Sequence, residues 1–94
     1  MTMFRNSKMY YGDGLGEQCP CEVRISGGTI AISYQGDSGP VVYEGPEVEP
    51  GHFRLTAQSV NGRASLHRLP DDAILEGSWS EGGYEGMWRI ELDE

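Results

Sequence analysis

Apolar and polar residues alternate with period two along much of this chain, in short runs separated by Gly, Pro, Asn and Asp at intervals of roughly 8 to 12 residues. That pattern limits the fold more than any other feature. Side chains of an extended strand point to opposite faces in turn, so Cys21 Glu22 Val23 Arg24 Ile25 carries an apolar face and a charged one. Nowhere do apolar residues recur at i, i+3, i+4 and i+7 as a surface helix requires. The chain therefore reads as all-β, with short strands in sequence order and no internal repeat.

Register makes the reading specific, because residues paired across a two-residue turn share a face. With Gly27 and Gly28 as the turn, Ile25 opposes Ile30, Val23 opposes Ile32 and Cys21 opposes Tyr34, while Arg24 faces Ala31 and Glu22 faces Ser33. With Gly82 and Gly83 as the turn, Trp79 opposes Gly86, Gly77 opposes Trp88, Leu75 opposes Ile90 and Ala73 opposes Leu92. Each indole then covers a glycine on the adjacent strand, and the reverse face sets Glu76 against Arg89.

The central hairpin is less regular. Asn61 and Gly62 suit a type I′ turn. That register places Ala57 opposite Leu66 and His67 opposite Thr56, but it also turns Arg68 inward opposite Leu55 and leaves Leu69 outside. A longer turn removes the conflict; so does a bulge between Leu66 and Leu69, the preferred reading, which returns Leu69 to the core. Before this hairpin, residues 44–51 read as an extended acidic loop kept out of strand pairing by Pro46 and Pro50.

Strands are expected near 21–26, 29–35, 40–44, 52–59, 63–69, 73–80 and 84–92, with another around 8–11. A short helical turn at Pro70 Asp71 Asp72 is a minor alternative to the start of the seventh strand. Seven or eight short antiparallel strands in a meander bury their edges by closing. The expected fold is a small up-and-down barrel, with a two-sheet sandwich as the alternative. Its inner face would carry Val23, Ile25, Ile30, Ile32, Tyr34, Phe53, Leu55, Leu66, Leu75, Trp79, Trp88 and Ile90. At 94 residues the chain supports a single domain, with residues 1–18 read as a loosely ordered segment or an edge strand. Should the barrel stay open, the strand at 40–44 or the last strand would leave an edge for a second copy, giving a homodimer rather than a monomer.

Charge narrows the class of partner. The net charge is -8, with seven of those negative charges in the last 24 residues. Such a surface repels a phosphate backbone or an anionic membrane, so neither nucleic acid nor membrane is an expected partner. The first residues form no signal-peptide core and no run is long enough for a membrane helix, which suggests a cytoplasmic protein.

Gly36 Asp37 Ser38 Gly39 Pro40 resembles the nucleophile loop of chymotrypsin-like serine proteases over seven residues ending at Val42. That family has two glycines after its serine where this chain has one, and its base precedes the nucleophile, whereas His52 and His67 both follow Ser38. The segment reads instead as a hairpin turn. Cys19, Cys21, His52 and His67 are of metal-binding types, but parity sends the cysteines to the apolar face and the histidines to the outer one. C-x-C spacing also departs from the usual C-x2-C, so neither a metal nor a cofactor is expected, and a dithiol role for Cys19 and Cys21 is a remote alternative.

Recognition remains. Tyr34, Phe53, Trp79 and Trp88 project to the expected interior, with Tyr84 at its mouth and Arg68 as an anchor for a carboxylate or phosphate. In architecture such a barrel resembles lipocalin-like and avidin-like meander barrels, which implies an interior able to hold a small apolar or aromatic ligand. The sequence thus points to a non-catalytic binding module using Tyr34, Phe53, Arg68, Trp79, Tyr84 and Trp88. The alternative is an acidic module that docks a basic protein partner through Glu76, Glu85, Glu91, Asp93 and Glu94, with the apolar Met87 on the same face.

Overall fold

The computed structural model describes residues 2–11, 18–36 and 39–94, and for Tyr11 the backbone alone. Eight strands run in chain order: β1 (Thr2–Tyr11), β2 (Gln18–Ser26), β3 (Thr29–Gly36), β4 (Gly39–Glu49), β5 (His52–Ala57), β6 (Gly62–His67), β7 (Ile74–Glu81) and β8 (Tyr84–Glu91). Each pairs antiparallel with the next, and β1 pairs with β8, so the sheet closes into an up-and-down barrel. Closure follows from the sequence pattern: eight strands with one apolar face can hide that face, and their edges, only by curling round.

The glycine hairpins form in the expected register. Val23 pairs with Ile32 and Ile25 with Ile30, while Trp79 pairs with Gly86, Gly77 with Trp88 and Glu76 with Arg89. Both glycines of each turn take positive φ, from 56° to 94°, which the type I′ geometry demands. At Gly86 a Cβ would press on the Trp79 indole at 3.0 Å, which accounts for the glycine beneath that ring. Gly77 has a different cause. A side chain there would overlap the Ser65 carbonyl of β6, so glycine is needed for close passage of two strand backbones rather than for Trp88.

The central hairpin corrects the expected register. His52 pairs with His67, Phe53 with Leu66, Leu55 with Ala64 and Ala57 with Gly62. The connection is a longer turn, a single 3-10 turn over Gln58–Val60 followed by Asn61 in the left-handed region at φ 51°. Asn61 tolerates that conformation and supplies the one positive φ the turn needs. No bulge returns Leu69 to the core; it is exposed. His67 does not oppose Thr56, and Arg68 does not oppose Leu55: its N–H donates to the Gly51 carbonyl at 2.8 Å, beyond the last rung of the ladder. Gly62 is a strand residue, and a Cβ on it would overlap the Tyr43 hydroxyl.

Two further expectations are revised. Residues 44–49 belong to β4 rather than to a loop, with Pro46 opposite Thr29 and Glu47 opposite Phe53. The strand accommodates Pro46 at its own end of the β3 ladder, where the Glu47 N–H donates to the Gly28 carbonyl, and a register shift between Glu47 and Glu49 absorbs the distortion. Residues 2–11 form no edge, and residues 12–17 of the N-terminal segment lie outside the described residues. β1 lies between β2 and β8, so the described strands leave no open edge of the kind that a second copy would cover at 40–44 or at the last strand. Pro70 Asp71 Asp72 forms a turn closed by the Asp72 N–H on the Leu69 carbonyl, not a helix.

β1 joins β2 through a shift in register between Phe4 and Ser7. The shift brings Ser7 into the interior, where its hydroxyl donates to the Phe4 carbonyl and accepts from the Asp93 N–H. Two groups freed by the irregularity are thus satisfied internally. The core is a continuous cluster including Met9, Val23, Ile30, Ile32, Tyr43, Leu55, Leu66, Leu75, Trp88 and Ile90, all at most 2% exposed. Every member expected on the inner face is in this cluster or packs against it. No helix among the described residues is long and apolar enough to cross a membrane.

Candidate functional site

In an up-and-down barrel the turns alternate between two ends. The turns at Gly27–Gly28, Gly51 and residues 68–73 mark one end; those at Asn61 and Gly82–Gly83 mark the other. The second end is where a carboxylate reaches the interior. Inward parity on β7 runs Leu75, Gly77, Trp79, and the next step places Glu81 over the mouth beside the last turn.

Glu81 is half-buried and sits among aromatics. The Tyr43 hydroxyl donates to Glu81 Oε1 at 2.6 Å, and the Tyr34 hydroxyl donates to the same oxygen at 3.4 Å. Trp88 forms the floor, its ring edge-on to Tyr43 at 4.8 Å between centroids and to Tyr34 at 6.3 Å. Trp79 lies 6.2 Å from Trp88 at an interplanar angle of 32°. Exposure rises toward solvent: Trp88 and Tyr43 are buried, Tyr34 and Trp79 are half-buried, and Tyr84, paired with Glu81, is 76% exposed. Apolar ring faces around one carboxylate form a setting for a group that is cationic or a strong hydrogen-bond donor.

Of the six residues singled out in the sequence, Tyr34, Trp79, Trp88 and Tyr84 gather at this end. Phe53 is buried opposite Leu66 in the wall. Arg68 caps the other end, with its guanidinium 5.8 Å from the centre of the Phe4 ring and its Nε donating to the Asp72 carbonyl. It does not share a site with the tyrosines and tryptophans. Tyr43 and Glu81 were missed, although both had a readable signal. Pairing Gly36 with Gly39 sets Tyr43 opposite Ile32 on the inner face, and Glu81 keeps the parity of Trp79.

The remaining candidates stand apart. Asp37 and Ser38 of the protease-like segment lie outside the described residues. Cys19 and Cys21 are free thiols. Burial, and then the neighbouring Cys19, push the Cys21 thiol up to about 12, the opposite of what a reactive thiolate needs. His52 and His67 face outward, as parity indicates, but against each other, with ring centroids 6.0 Å apart. Among the described residues, open depressions lie on the outer wall. One of about 420 Å³ includes Arg63, Ser65, Ser78 and Met87, and one of about 380 Å³ borders Tyr34 with Arg5, Glu22 and Gln35.

No family model, curated protein or solved structure matches the chain. An up-and-down barrel hosts many unrelated functions, so the fold by itself assigns none.

Proposed function

We propose that this protein is a small-ligand-binding module, and that its site is the aromatic end of the barrel rather than a deep interior cavity. The ligand has an apolar body, alkyl or aromatic, and carries an ammonium or comparable donor. Its body packs on the half-buried Trp79 and on Tyr84, while its donor meets the Glu81 carboxylate. The observation that carries this reading is Glu81 itself: a half-buried carboxylate placed by two tyrosine hydroxyls over a tryptophan floor.

Physical economy supports the choice. A packed barrel of eight strands has room for its own side chains and little else. The inner residues below Trp88 fill that room, and of the two ends, both with half-buried apolar side chains, the aromatic one sets them beside a carboxylate. Both tyrosine hydroxyls donate to Oε1, and Oε2 is the oxygen assigned here to an incoming donor. A net charge of -8 adds long-range attraction for a cation.

Titration with 2-phenylethylammonium and with the neutral 2-phenylethanol, followed by tryptophan fluorescence, tests the proposal. The ammonium compound should bind at least about tenfold more tightly, and Glu81→Gln should erase the preference. Equal responses to the two compounds, or a preference that survives in Glu81→Gln, would overturn it.

A further inference from the structure

The corrected register of the central hairpin creates a second constellation, at the opposite end of the barrel and on its outer face. His52 and His67 pair directly across β5 and β6, both exposed, with ring centroids 6.0 Å apart and planes inclined by 36°. They border an open depression of about 230 Å³ together with Val48, Glu49 and Arg54. The rungs on either side extend the pattern. Glu49 pairs with His52 and Glu76 pairs with His67, so carboxylate, imidazole, imidazole, carboxylate follow one another across four adjacent strands.

We infer that His52 and His67 form a surface site for a divalent transition-metal cation of the zinc, nickel or copper type, independent of the aromatic end. Metal to imidazole bonds of about 2.0–2.1 Å put the centres of two rings on one tetrahedral ion roughly 5 Å apart. The observed 6.0 Å is wider, and rotation of the two exposed side chains closes the difference without moving the backbone. Imidazole nitrogen selects these ions over magnesium or calcium, which favour oxygen. Among the described residues no three histidine, cysteine or carboxylate side chains converge on one point as they stand. The site therefore rests on two imidazoles, with Glu49 swinging in or water completing the coordination. Glu49 and Glu76 offset the charge of Arg54, the cation in the lining.

The ion would clip β5 to β6 at the open end of their hairpin, and because the pairing exists only in the folded chain, it would stabilise the fold. Calorimetric titration of untagged protein with zinc, alongside NMR line broadening by copper, provides the test. One equivalent should bind, broadening should centre on His52 and His67, and magnesium should give no heat. His52→Ala and His67→Ala should each weaken binding by about tenfold or more. Both side chains are exposed, so these variants should fold, and their unchanged response to 2-phenylethylammonium checks that the other end is intact. Absence of zinc binding, wild-type affinity in either variant, or broadening centred on Cys19 and Cys21 would overturn the inference.

Discussion

The two ends of the barrel solve the same problem with different side chains. At the Gly27–Gly28 end the buried side chains are mainly aliphatic, Val23, Ile30, Leu66, Leu75 and Ile90 with the one ring of Phe53, and Phe4 and Arg68 lie above them. At the Gly82–Gly83 end the filling is done by Trp88, Tyr43, Tyr34 and Trp79, and a carboxylate lies among them. Branched aliphatic side chains interlock and exclude water, whereas large rings close space with fewer residues and bring polar atoms to the rim. The proposed recognition of a ligand at the aromatic end rests on this difference, while buried side chains at both ends contribute to stability.

Gly77→Ala should have the largest effect, because the residue stands between Leu75 and Trp79 and its added methyl would overlap the Ser65 carbonyl. Loss of more than about 4 kcal/mol is expected, enough to unfold a domain of this size, and circular dichroism of the purified variant would show it. A folded variant of near wild-type stability would mean that the two halves are not held by this strand contact.

Leu75→Ala comes next and strikes the aliphatic end alone. Truncating this fully buried side chain should cost about 2–5 kcal/mol in urea denaturation. A cost below that of truncating half-buried Trp79 would invert the comparison.

Alkaline titration probes the wall just below Tyr34, where Cys21 sits. Its thiol ionises near 9 in an unfolded chain and only at about 12 in the folded one. Between those values the native state retains a proton that the unfolded state releases. Its contribution is therefore intact below pH 9 and declines as pH rises toward 12, by at most about 1.4 kcal/mol per pH unit. Denaturation of the wild type and Cys21→Ala at pH 8, 9.5 and 10.5 would isolate it as the difference in slope. Matching slopes would show that water reaches the wall.

Tyr43→Phe should cost about 1 kcal/mol, since it removes one hydrogen bond to Glu81 while keeping the ring. Weaker 2-phenylethylammonium binding should accompany that loss. Tyr84→Ala is the smallest change for stability, within about 0.5 kcal/mol for an exposed side chain. Chemical denaturation paired with ligand titration would check both. If Tyr84→Ala left affinity untouched, the site would shrink to Tyr34, Trp79 and Glu81.

Legibility varied along the chain for physical reasons. The hairpins at Gly27–Gly28 and Gly82–Gly83 were readable because tight turns lock register, and both faces of each pair then agree. Tyr43 and Glu81 obeyed the same parity and were accessible by it. The central hairpin was ambiguous because Asn61–Gly62 suits a type I′ turn, while the chain uses Asn61 for a longer turn and Gly62 to admit the Tyr43 hydroxyl. Nothing local to Gly62 announces a tyrosine from β4. The same difference in register decided that His67 faces His52 and that Arg68 does not oppose Leu55.

Sequence by itself determined the all-β class, the meander order, most of the inner face and the net charge, because period-two patterning and glycine turns act over a few residues. Only the tertiary structure decided that β1 closes the barrel against β8, that Gly77 must yield to the backbone of β6, that Tyr34 and Tyr43 converge on Glu81, and that His52 pairs with His67. Those outcomes depend on how far each strand slides past its neighbour. That stagger is set by closure of the whole sheet, to which every strand contributes and which no single segment encodes.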